Sequence, residues 1–471
     1  MFNPNDIASN LHKFGYKSWL RVLAIGFCIS TAAILFFGAM LAHGQVDLAD
    51  APMFTQLNPP ATNLMISLDD SGSMTFEILV RGEYDGQFPN PDPETTDNEG
   101  FCYVFDDMGD GYNINQSWRQ MDAETRKYWR SQWHAVNAVY YNPKVVYEPW
   151  PDHKNKTFPP ADTQKPLVHP LQTKTLDLDK RAFRVDGLSV PWAHYFVKSE
   201  IDGNFYLIIL DGPSENKYYI FTTDGGKVPN DKIVTVTEVF NPPADIYRSY
   251  AADRQNFANW FTYNRRREFV AKAAIARVLK KLDGVRVGIL GINNRIIVPL
   301  QPVKAVIDGE FKDETDALIE TLYAYKSAGG TPLKAGLEKI GEYYRKNNGD
   351  LEGQKGDVPY PADGGACQQS FTLVVTDGYY SDNGHDSVGN ADGDKDNEAW
   401  GGNKVPYKDD YSDTLADIAM HYYATDLIPE MDNQVPTNKW DGAAHQHMVT
   451  FSVAFGVSGT LNPQDYEDDR T

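Results

Sequence analysis

The chain has 471 residues, with 44 Lys and Arg against 65 Asp and Glu, and a formal net charge of −21. This length corresponds to about three domains of roughly 150 residues each. Hydrophobic residues at 41% and charged residues at 23% exclude a wholly disordered chain. The acidic balance argues against a nucleic-acid partner, because phosphate backbones are bound by basic surfaces. It suits the capture of cations.

The amino terminus has the pattern of an export signal. Three basic residues precede an uncharged run from Val22 to Ala42. Ala42 and Gly44 are small residues at the −3 and −1 positions of a signal-peptidase site before Gln45. The alternative is a retained membrane anchor, since 21 residues (22 to 42) are long enough to span a bilayer. We favour cleavage and predict a signal peptide over 1–44, with no membrane span in the rest of the chain.

A short strand and a long irregular region follow the export signal. Residues 45–76 are predicted to form an extended lead-in and a first buried strand, Leu64–Leu68, which ends at Asp69. Residues 77–255 are predicted to be an insertion, irregular at first, with one possible helix over Ala123–Asn137. The second half of this insertion is β-rich. Its predicted strands are Phe205–Leu210, Tyr218–Phe221 and Val228–Val239.

From residue 256 to residue 460, strands alternate with helices. The apolar spacing predicts a long helix over Asn256–Leu282 and then a hairpin of Val285–Ile292 with Arg295–Leu300. The later predicted elements are helices Asp313–Tyr323, Pro332–Tyr344 and Thr414–Leu427 and strands Phe371–Thr376 and His447–Phe455. Such alternation predicts an α/β domain with a central, mostly parallel sheet. Residues 461–471 are predicted to be a tail.

Oxygen-bearing side chains follow two of the predicted strands and begin one helix. Asp69, Ser71 and Ser73 come after the first strand, Thr331 precedes a helix, and Asp377 follows a later strand. Ligand sites of open α/β sheets lie beyond the carboxyl ends of the strands, where these five side chains would meet. Carboxylates and hydroxyls are hard donors that suit Mg²⁺ or Ca²⁺, and also Mn²⁺, rather than zinc or copper. The pattern predicts a divalent-cation site.

Each of these residues also has an ordinary structural interpretation. Ser71 or Ser73 could cap a helix, Thr331 before a proline is typical of a helix start, and Asp377 before glycine is typical of a turn. The combination favours the cation site, because both carboxylates end apolar runs and the hydroxyls lie in the expected loops.

The five residues resemble the metal-ion-dependent adhesion site of von Willebrand factor A domains. Asp69, Ser71 and Ser73 match the family pattern Asp-x-Ser-x-Ser, and Thr331 and Asp377 match its threonine and second aspartate. The resemblance implies a von Willebrand factor A fold, Rossmann-like, with the insertion placed after its first strand. It also implies that the hydroxyls bind the ion directly and the carboxylates directly or through water. One coordination position would stay open for a carboxylate of a partner protein.

Further segments resemble the PilY family of type IV pilus tip proteins. The matching segments are Asn256–Phe261, Arg265–Arg267, Cys367–Phe371, Thr376–Tyr379, Leu415–Met420 and Gln446–Phe451. This resemblance implies an exported protein of the periplasm, cell surface or pilus tip that acts in adhesion and in pilus biogenesis or retraction control. Its implied partners are pilus subunits (minor pilins) and a host or surface protein. PilY proteins usually continue into a β-propeller, so a chain that stops at Thr471 is either a fragment or a short version, and propeller functions are not carried over.

Two alternatives to an adhesin follow from the same sequence. The chain could be a structural factor for pilus assembly or initiation whose metal site is dispensable. A helper subunit resembling metal chelatases is the enzymatic alternative, which we do not favour, because the chain has no nucleophile elbow, Walker loop or zinc-protease motif. We therefore expect a protein that is not an enzyme.

Two further features lead to separate predictions. Asp392, Asp394, Asp396 and Glu398 alternate as calcium-loop ligands do, although the sixth-position Gly and twelfth-position Glu are missing and a solvated acidic loop is the alternative. Cys102 and Cys367 are the two cysteines outside the export signal, and we expect them to form a disulfide. Two unrelated thiols are the alternative.

Overall fold

A five-stranded mixed sheet organises the described part of the chain. A computed structural model of the protein describes residues 60–82, 86–90, 100–105, 120–211, 215–378, 380–381, 387–393, 410–438 and 441–456. Apart from Asn438, these residues belong to one compact unit. No helix within these ranges is both long enough and apolar enough to cross a membrane.

Strands and helices alternate in the carboxyl-terminal half of the described chain. In chain order the strands are β1 (Thr62–Leu68), β2 (Arg181–Val185), β3 (Leu188–Pro191), β4 (His194–Lys198), β5 (Phe205–Asp211), β6 (Glu215–Thr223), β7 (Ile233–Val239), β8 (Val285–Gly291), β9 (Ile297–Val303), β10 (Ala305–Ile307), β11 (Glu310–Lys312), β12 (Asp350–Leu351), β13 (Gln354–Lys355), β14 (Ser370–Thr376) and β15 (Met448–Ala454). The α-helices are α1 (Tyr250–Tyr263), α2 (Arg267–Lys281), α3 (Thr315–Ala324), α4 (Leu333–Lys346) and α5 (Leu415–Ala424). Short 3₁₀ helices cover Gly72–Thr75, Thr125–Lys127, Trp129–Gln132 and Gly365–Cys367.

The main sheet has the strand order β15-β14-β1-β8-β9. Strand β1 pairs in parallel with both β14 and β8, and β14 pairs in parallel with β15. Strand β9 is antiparallel to β8, with which it forms the predicted hairpin. The predicted α/β class, with a largely parallel sheet, is confirmed.

Helices cover both faces of this sheet. Alternate residues of a strand face opposite sides, so β1 contributes to two cores. Ile66 and Leu68 pack in one core with α2 and α3. Met65 packs on the other face with α4 and α5. The result is a three-layer arrangement in which all the parallel strands end at the same edge.

The segment between β1 and α1 has a core of its own. Strands β4 to β7 form a four-stranded antiparallel sheet, which fits the predicted β-rich texture of the second half of the insertion. Phe257, Trp260 and Phe261 of α1 pack into the core of this segment rather than against the main sheet. Helix α1 is therefore part of the wall of the insertion.

Two helix predictions were wrong. The predicted helix over Asn256–Leu282 is two helices, α1 and α2, separated at Asn264–Arg266. The apolar side chains of α1 face the insertion core and those of α2 face the main sheet, so one straight helix cannot serve both cores. The possible helix over Ala123–Asn137 is reduced to the two 3₁₀ helices Thr125–Lys127 and Trp129–Gln132.

The structure contradicts the predicted disulfide between Cys102 and Cys367. Both side chains are thiols: that of Cys102 donates to Gly100 O at 3.8 Å, and that of Cys367 donates to Gln434 Oε1 at 3.7 Å. Cys102 O accepts from the backbone of Glu77, beyond the end of β1, whereas Cys367 precedes the start of β14. Because these parallel strands are about 20 Å long, the cysteines lie at opposite ends of the sheet, far beyond the ~4.4–6.8 Å that a disulfide allows between Cα atoms.

Candidate metal centre

The candidate site lies where the strand order reverses. From β1 the chain continues, through the insertion, α1 and α2, to β8 on one side, whereas β14 lies on the other side of β1. The carboxyl ends of β1 and β14 therefore flank a crevice of the kind in which open α/β sheets bind ligands. Asp69 directly follows β1 and Asp377 directly follows β14. Both carboxylates are buried.

A chain of hydrogen bonds joins four of the five predicted residues. The Ser71 backbone N–H donates to Asp69 Oδ1 at 2.9 Å. The Ser71 and Ser73 hydroxyls are in hydrogen-bond contact at 3.0 Å, and the Ser73 hydroxyl donates to Asp377 Oδ1 at 3.0 Å. Asp69, Ser71, Ser73 and Asp377 therefore meet in one place, although up to 308 positions (377 − 69) separate them in the sequence.

The loop that carries the fifth residue, Thr331, is hydrogen-bonded through its backbone to the loop that follows β1. Ala328 N donates to Asp70 O at 2.7 Å, and Gly72 N donates to Gly329 O at 3.0 Å. Thr331 follows Gly329 by two residues, and its carbonyl accepts from Ser381 N at 3.1 Å. The backbone of the Thr331 segment therefore contacts both the Asp69–Ser73 loop and the segment after Asp377.

Burial makes the Asp69 carboxylate costly to ionise. Its burial, and secondly the negative charge of Asp377, raise the pKa of Asp69 to about 6. The Thr376 hydroxyl donates to Asp69 Oδ2 at 2.7 Å, and this bond offsets only part of the rise in the pKa of Asp69. A buried carboxylate held by neutral donors is stabilised by a nearby cation.

Asp70 lies next to the site, and its carboxylate accepts from residues of the β8–β9 turn rather than from the serines. Its Oδ1 accepts from the backbone N–H of Asn293 at 2.7 Å and from Asn293 Nδ2 at 3.0 Å, and its Oδ2 accepts from Arg295 N at 2.8 Å. Asn293 Nδ2 also donates to Gly330 O at 2.8 Å. Asp70 thus fixes the β8–β9 turn, and Asn293 connects that turn to the loop of Thr331.

Sequence reasoning also missed Arg267, which reaches the site from the first turn of α2. Its Nη1 forms a 2.5 Å ion pair with Asp377 Oδ2, and both side chains are fully buried. In the sequence, the Arg265–Arg267 run stands out only as one of the segments that resemble the PilY family. The signal that could have found it is a run of three arginines inside a predicted amphipathic helix, because a charged side chain that is buried needs a partner of opposite charge.

The donor set fits a divalent cation bound through oxygen. Adjacent ligands of an octahedral ion with ~2.1 Å bonds lie about 3.0 Å apart, and the Ser71–Ser73 and Ser73–Asp377 oxygens are both 3.0 Å apart. Within the described ranges, no group of three or more His, Cys, Asp or Glu side chains could hold a metal ion. The candidate centre therefore consists of two carboxylates and the hydroxyls of Ser71 and Ser73, with the Thr331 hydroxyl as a predicted fifth donor.

The predicted second cation loop falls largely outside the described residues. Asp394, Asp396 and Glu398 lie there. Asp392 is described and fully buried, and its backbone N–H donates to Asp417 Oδ1 at 3.4 Å. Asp417 also forms a capping box with Thr414 at the start of α5, so the described end of this loop is held at a helix terminus.

Comparison with known proteins found relatives among the PilY1 factors. The chain is 28% identical to the type IV pilus biogenesis factor PilY1 of Pseudomonas aeruginosa strain UCBPP-PA14, over 92% of this chain and 34% of that protein. The predicted resemblance to the PilY family is confirmed. PilY1 of strain PAK is also 28% identical, over 46% of this chain and 21% of the relative.

The likeness to PilY1 has defined limits. The chain spans about a third or less of the length of the PilY1 proteins that it matches. No protein-family model matches the chain. No solved structure matches it either.

Proposed function

We propose that this chain is an adhesion and biogenesis module of a type IV pilus, built on a von Willebrand factor A fold. Two findings support the proposal: the 28% identity to PilY1 over 92% of the chain, and the α/β sheet whose β1 and β14 carry the predicted site residues. The observation that carries the metal-dependent part is the hydrogen-bonded chain from Asp69 through Ser71 and Ser73 to Asp377.

In this proposal Asp69, Ser71, Ser73, Thr331 and Asp377 would hold Mg²⁺ or Ca²⁺, with Mn²⁺ as a further candidate. Bound there, the ion would supply an electrophilic position for a carboxylate of a partner protein. Thr376 and the Ser71 backbone hold the Asp69 carboxylate in place, and Arg267 holds that of Asp377. The role is binding, without catalysis. The proposed location is the periplasm and the cell surface or pilus tip, and the proposed partners are pilus subunits and a surface protein.

A second candidate function is structural. Arg267 already forms an ion pair with Asp377, so this carboxylate has a positive partner within the chain itself. That observation favours a pilus assembly or initiation factor in which the cation only stabilises the fold or is dispensable.

The substitution Asp69→Asn tests the proposal with little change in shape. The amide oxygen can still accept from Ser71 N, and the amide group can still bond Thr376, while the charge is lost. We expect Mg²⁺, Ca²⁺ and Mn²⁺ binding, measured by titration calorimetry after chelator treatment, to fall at least tenfold. Surface attachment of cells carrying the variant should fall with it. Asp283→Ala, at an exposed aspartate between α2 and β8, is the matched control.

The two candidate functions predict different outcomes. A metal-dependent adhesin with Asp69→Asn should keep its pilus number, counted by electron microscopy, and lose attachment. If attachment and pilus number both match the wild type while deletion of the gene abolishes pili, the structural function is supported and the adhesin is rejected. Wild-type cation affinity in Asp69→Asn would remove the metal site itself.

A further inference from the structure

The first two turns of α2 carry a set of fully buried charges directly beneath the candidate centre. Arg267, Glu268 and Lys272 have no exposed side-chain surface. Charged side chains are almost never fully buried unless they are paired. Glu268 and Lys272 form an ion pair with each other, so together they add no net charge. Arg267 is paired with Asp377, a candidate ligand.

The Arg267 guanidinium is held in a fixed position. Its Nε and Nη2 donate to Ile78 O at 3.0 and 2.5 Å, its Nη1 donates to Asp377 Oδ2 at 2.5 Å, and the Arg267 backbone N–H donates to Phe76 O at 3.2 Å. The guanidinium also lies over the Phe76 ring, 5.1 Å from its centroid. These partners hold it against Asp377.

The neighbouring arginines have a different partner. Arg265 Nε lies 3.1 Å and Arg266 Nη2 lies 3.6 Å from Glu77 Oε1. Glu77 Oε2 in turn accepts from the backbone N–H groups of Val104 and Phe105 in the insertion. Within the Arg265–Arg267 run, Arg267 contacts the candidate ligand Asp377, whereas Arg265 and Arg266 pair with Glu77.

We propose that Arg267 is a positioning residue that sets the charge of the candidate centre and thereby its preference for an anionic ligand. This inference rests on the proposed function. The candidate ligands Asp69 and Asp377 and their partner Arg267 sum to a charge of −1, so a divalent ion held by this set keeps a net charge of +1. Without Arg267 the two carboxylates sum to −2 and cancel the ion. The Asp70 carboxylate, which accepts from Asn293 and Arg295, contributes equally with and without Arg267. Arg267 thus weakens the binding of the cation and strengthens the binding of a partner carboxylate to the loaded site.

Arg267 is expected to affect cation binding and carboxylate binding in opposite directions. A purely structural role of Arg267 would affect both in the same direction. A side chain that only positions Asp377 would, on removal, weaken cation binding and carboxylate binding together. A side chain that sets the charge would, on removal, strengthen the first and weaken the second. The discriminating variant is Arg267→Gln, which keeps hydrogen-bond donors near Ile78 O and loses the charge. Arg267→Lys keeps the charge and is the matched control.

The experiment measures Mn²⁺ binding by the EPR signal of the free ion, with and without acetate as a carboxylate probe. Acetate that binds to the loaded site raises the apparent Mn²⁺ affinity by linkage. We expect Arg267→Gln to bind Mn²⁺ at least about tenfold more tightly than the wild type and to lose the enhancement by acetate. Arg267→Lys should stay within fivefold of the wild type and keep the enhancement. Weaker or unchanged Mn²⁺ binding by Arg267→Gln would overturn the inference.

Two controls separate this inference from the proposed function and from misfolding. If the wild type and Asp69→Asn bind Mn²⁺ equally, the proposed function fails; if only Asp69→Asn loses binding, a wrong sign in Arg267→Gln overturns the inference alone. Far-UV circular dichroism checks the folding of each variant. Should Arg267→Gln not fold, Arg267→Lys decides: Mn²⁺ affinity within fivefold of the wild type supports a charge effect, and a larger change overturns it.

Discussion

At the scale of single residues, the chain buries an unusual number of charged and titratable groups around α2. His169 is one of them, and its ring lies edge-on to Phe269 of α2, 5.2 Å from centroid to centroid. Burial lowers the pKa of His169 to about 2, assisted by the positive charges of Lys272, Arg265 and Arg266. His169 is therefore neutral in the folded protein across the physiological range.

The substitution His169→Asn should reduce the loss of stability in acid. The unfolded chain protonates this histidine near pH 6.5, whereas the folded protein does so only near pH 2. As pH falls below 6.5 the unfolded state gains the extra proton, so His169 costs up to about 1.4 kcal/mol of unfolding free energy per pH unit. The free energy of unfolding of His169→Asn should lie below that of the wild type at pH 8, and this difference should shrink by ~2–3 kcal/mol between pH 8 and pH 4.5. Urea unfolding measures it.

The difference in unfolding free energy between His169→Asn and the wild type at pH 8 is the internal control. His169 is neutral at pH 8 in both the folded and the unfolded state, so this difference reports packing alone. The Nδ1 atom of His169 accepts from Leu171 N at 3.0 Å, a bond that an Asn oxygen can replace. A deficit that stays constant across this pH range would contradict the prediction.

At the scale of elements, close approach between helices depends on glycine. A Cβ atom added at Gly341 of α4 would lie 2.5 Å from three ring atoms of Tyr422 in α5. Tyr422 is buried, and its hydroxyl donates to Glu342 Oε1 at 2.9 Å, so the ring cannot easily move away. These two helices pack together in the core on the Met65 face of the main sheet.

We therefore expect Gly341→Ala to destabilise the protein by ~1–3 kcal/mol, because overpacking separates α4 from α5. Helix propensity alone predicts the opposite sign, a gain of about 1 kcal/mol. The free energy of unfolding in urea decides between them. In a Tyr422→Ala background the clash is absent, so there the same substitution should be neutral or stabilising; a loss of equal size in both backgrounds would refute the packing explanation.

At the scale of the whole molecule, α1 connects distant parts of the insertion, and its last residue, Tyr263, packs with Trp150 and Phe158 of the insertion in a core of the main sheet. Arg254 of α1 is buried and donates to Leu210 O at 2.5 Å, to Thr163 O at 2.7 Å and to Asp179 Oδ1 at 2.8 Å. Trp260 Nε1 donates to Val139 O at 2.9 Å. Because these bonds cross between segments distant in sequence, the described unit should unfold in a single cooperative step.

The substitution Arg254→Ala tests this coupling. The variant removes a buried cation and leaves its acceptors without that donor, so its free energy of unfolding should fall by ~3–5 kcal/mol. Tryptophan fluorescence and far-UV circular dichroism should still report one coincident transition. Arg277→Ala is the matched control, since Arg277 is partly exposed and its bonds to Glu148 O and Pro149 O are 3.3 Å long. It should cost less than about 1 kcal/mol. Separate transitions for the two probes would show that the insertion unfolds independently.

Local patterns in the sequence were sufficient to predict the α/β class and the hairpin of β8 with β9, and they singled out Asp69, Ser71, Ser73 and Asp377, which the fold brings together. Apolar runs that end at Asp69 and Asp377 identify buried strands with carboxylates at their ends, because hydrophobic periodicity is a local property. The resemblance to PilY came from short segments in the same way. The site residues meet because parallel strands end at one edge of a sheet.

Only the tertiary structure decided the features that depend on which faces meet. The helix breaks between α1 and α2 because the apolar side chains of α1 pack in the insertion core and those of α2 pack against the main sheet. Cys102 and Cys367 lie apart because they are at opposite ends of the sheet. The pairing of Arg267 with Asp377 joins residues 110 positions apart. Periodicity reports burial along a chain, whereas the partner of a buried charge is determined by the packing of elements that are distant in sequence.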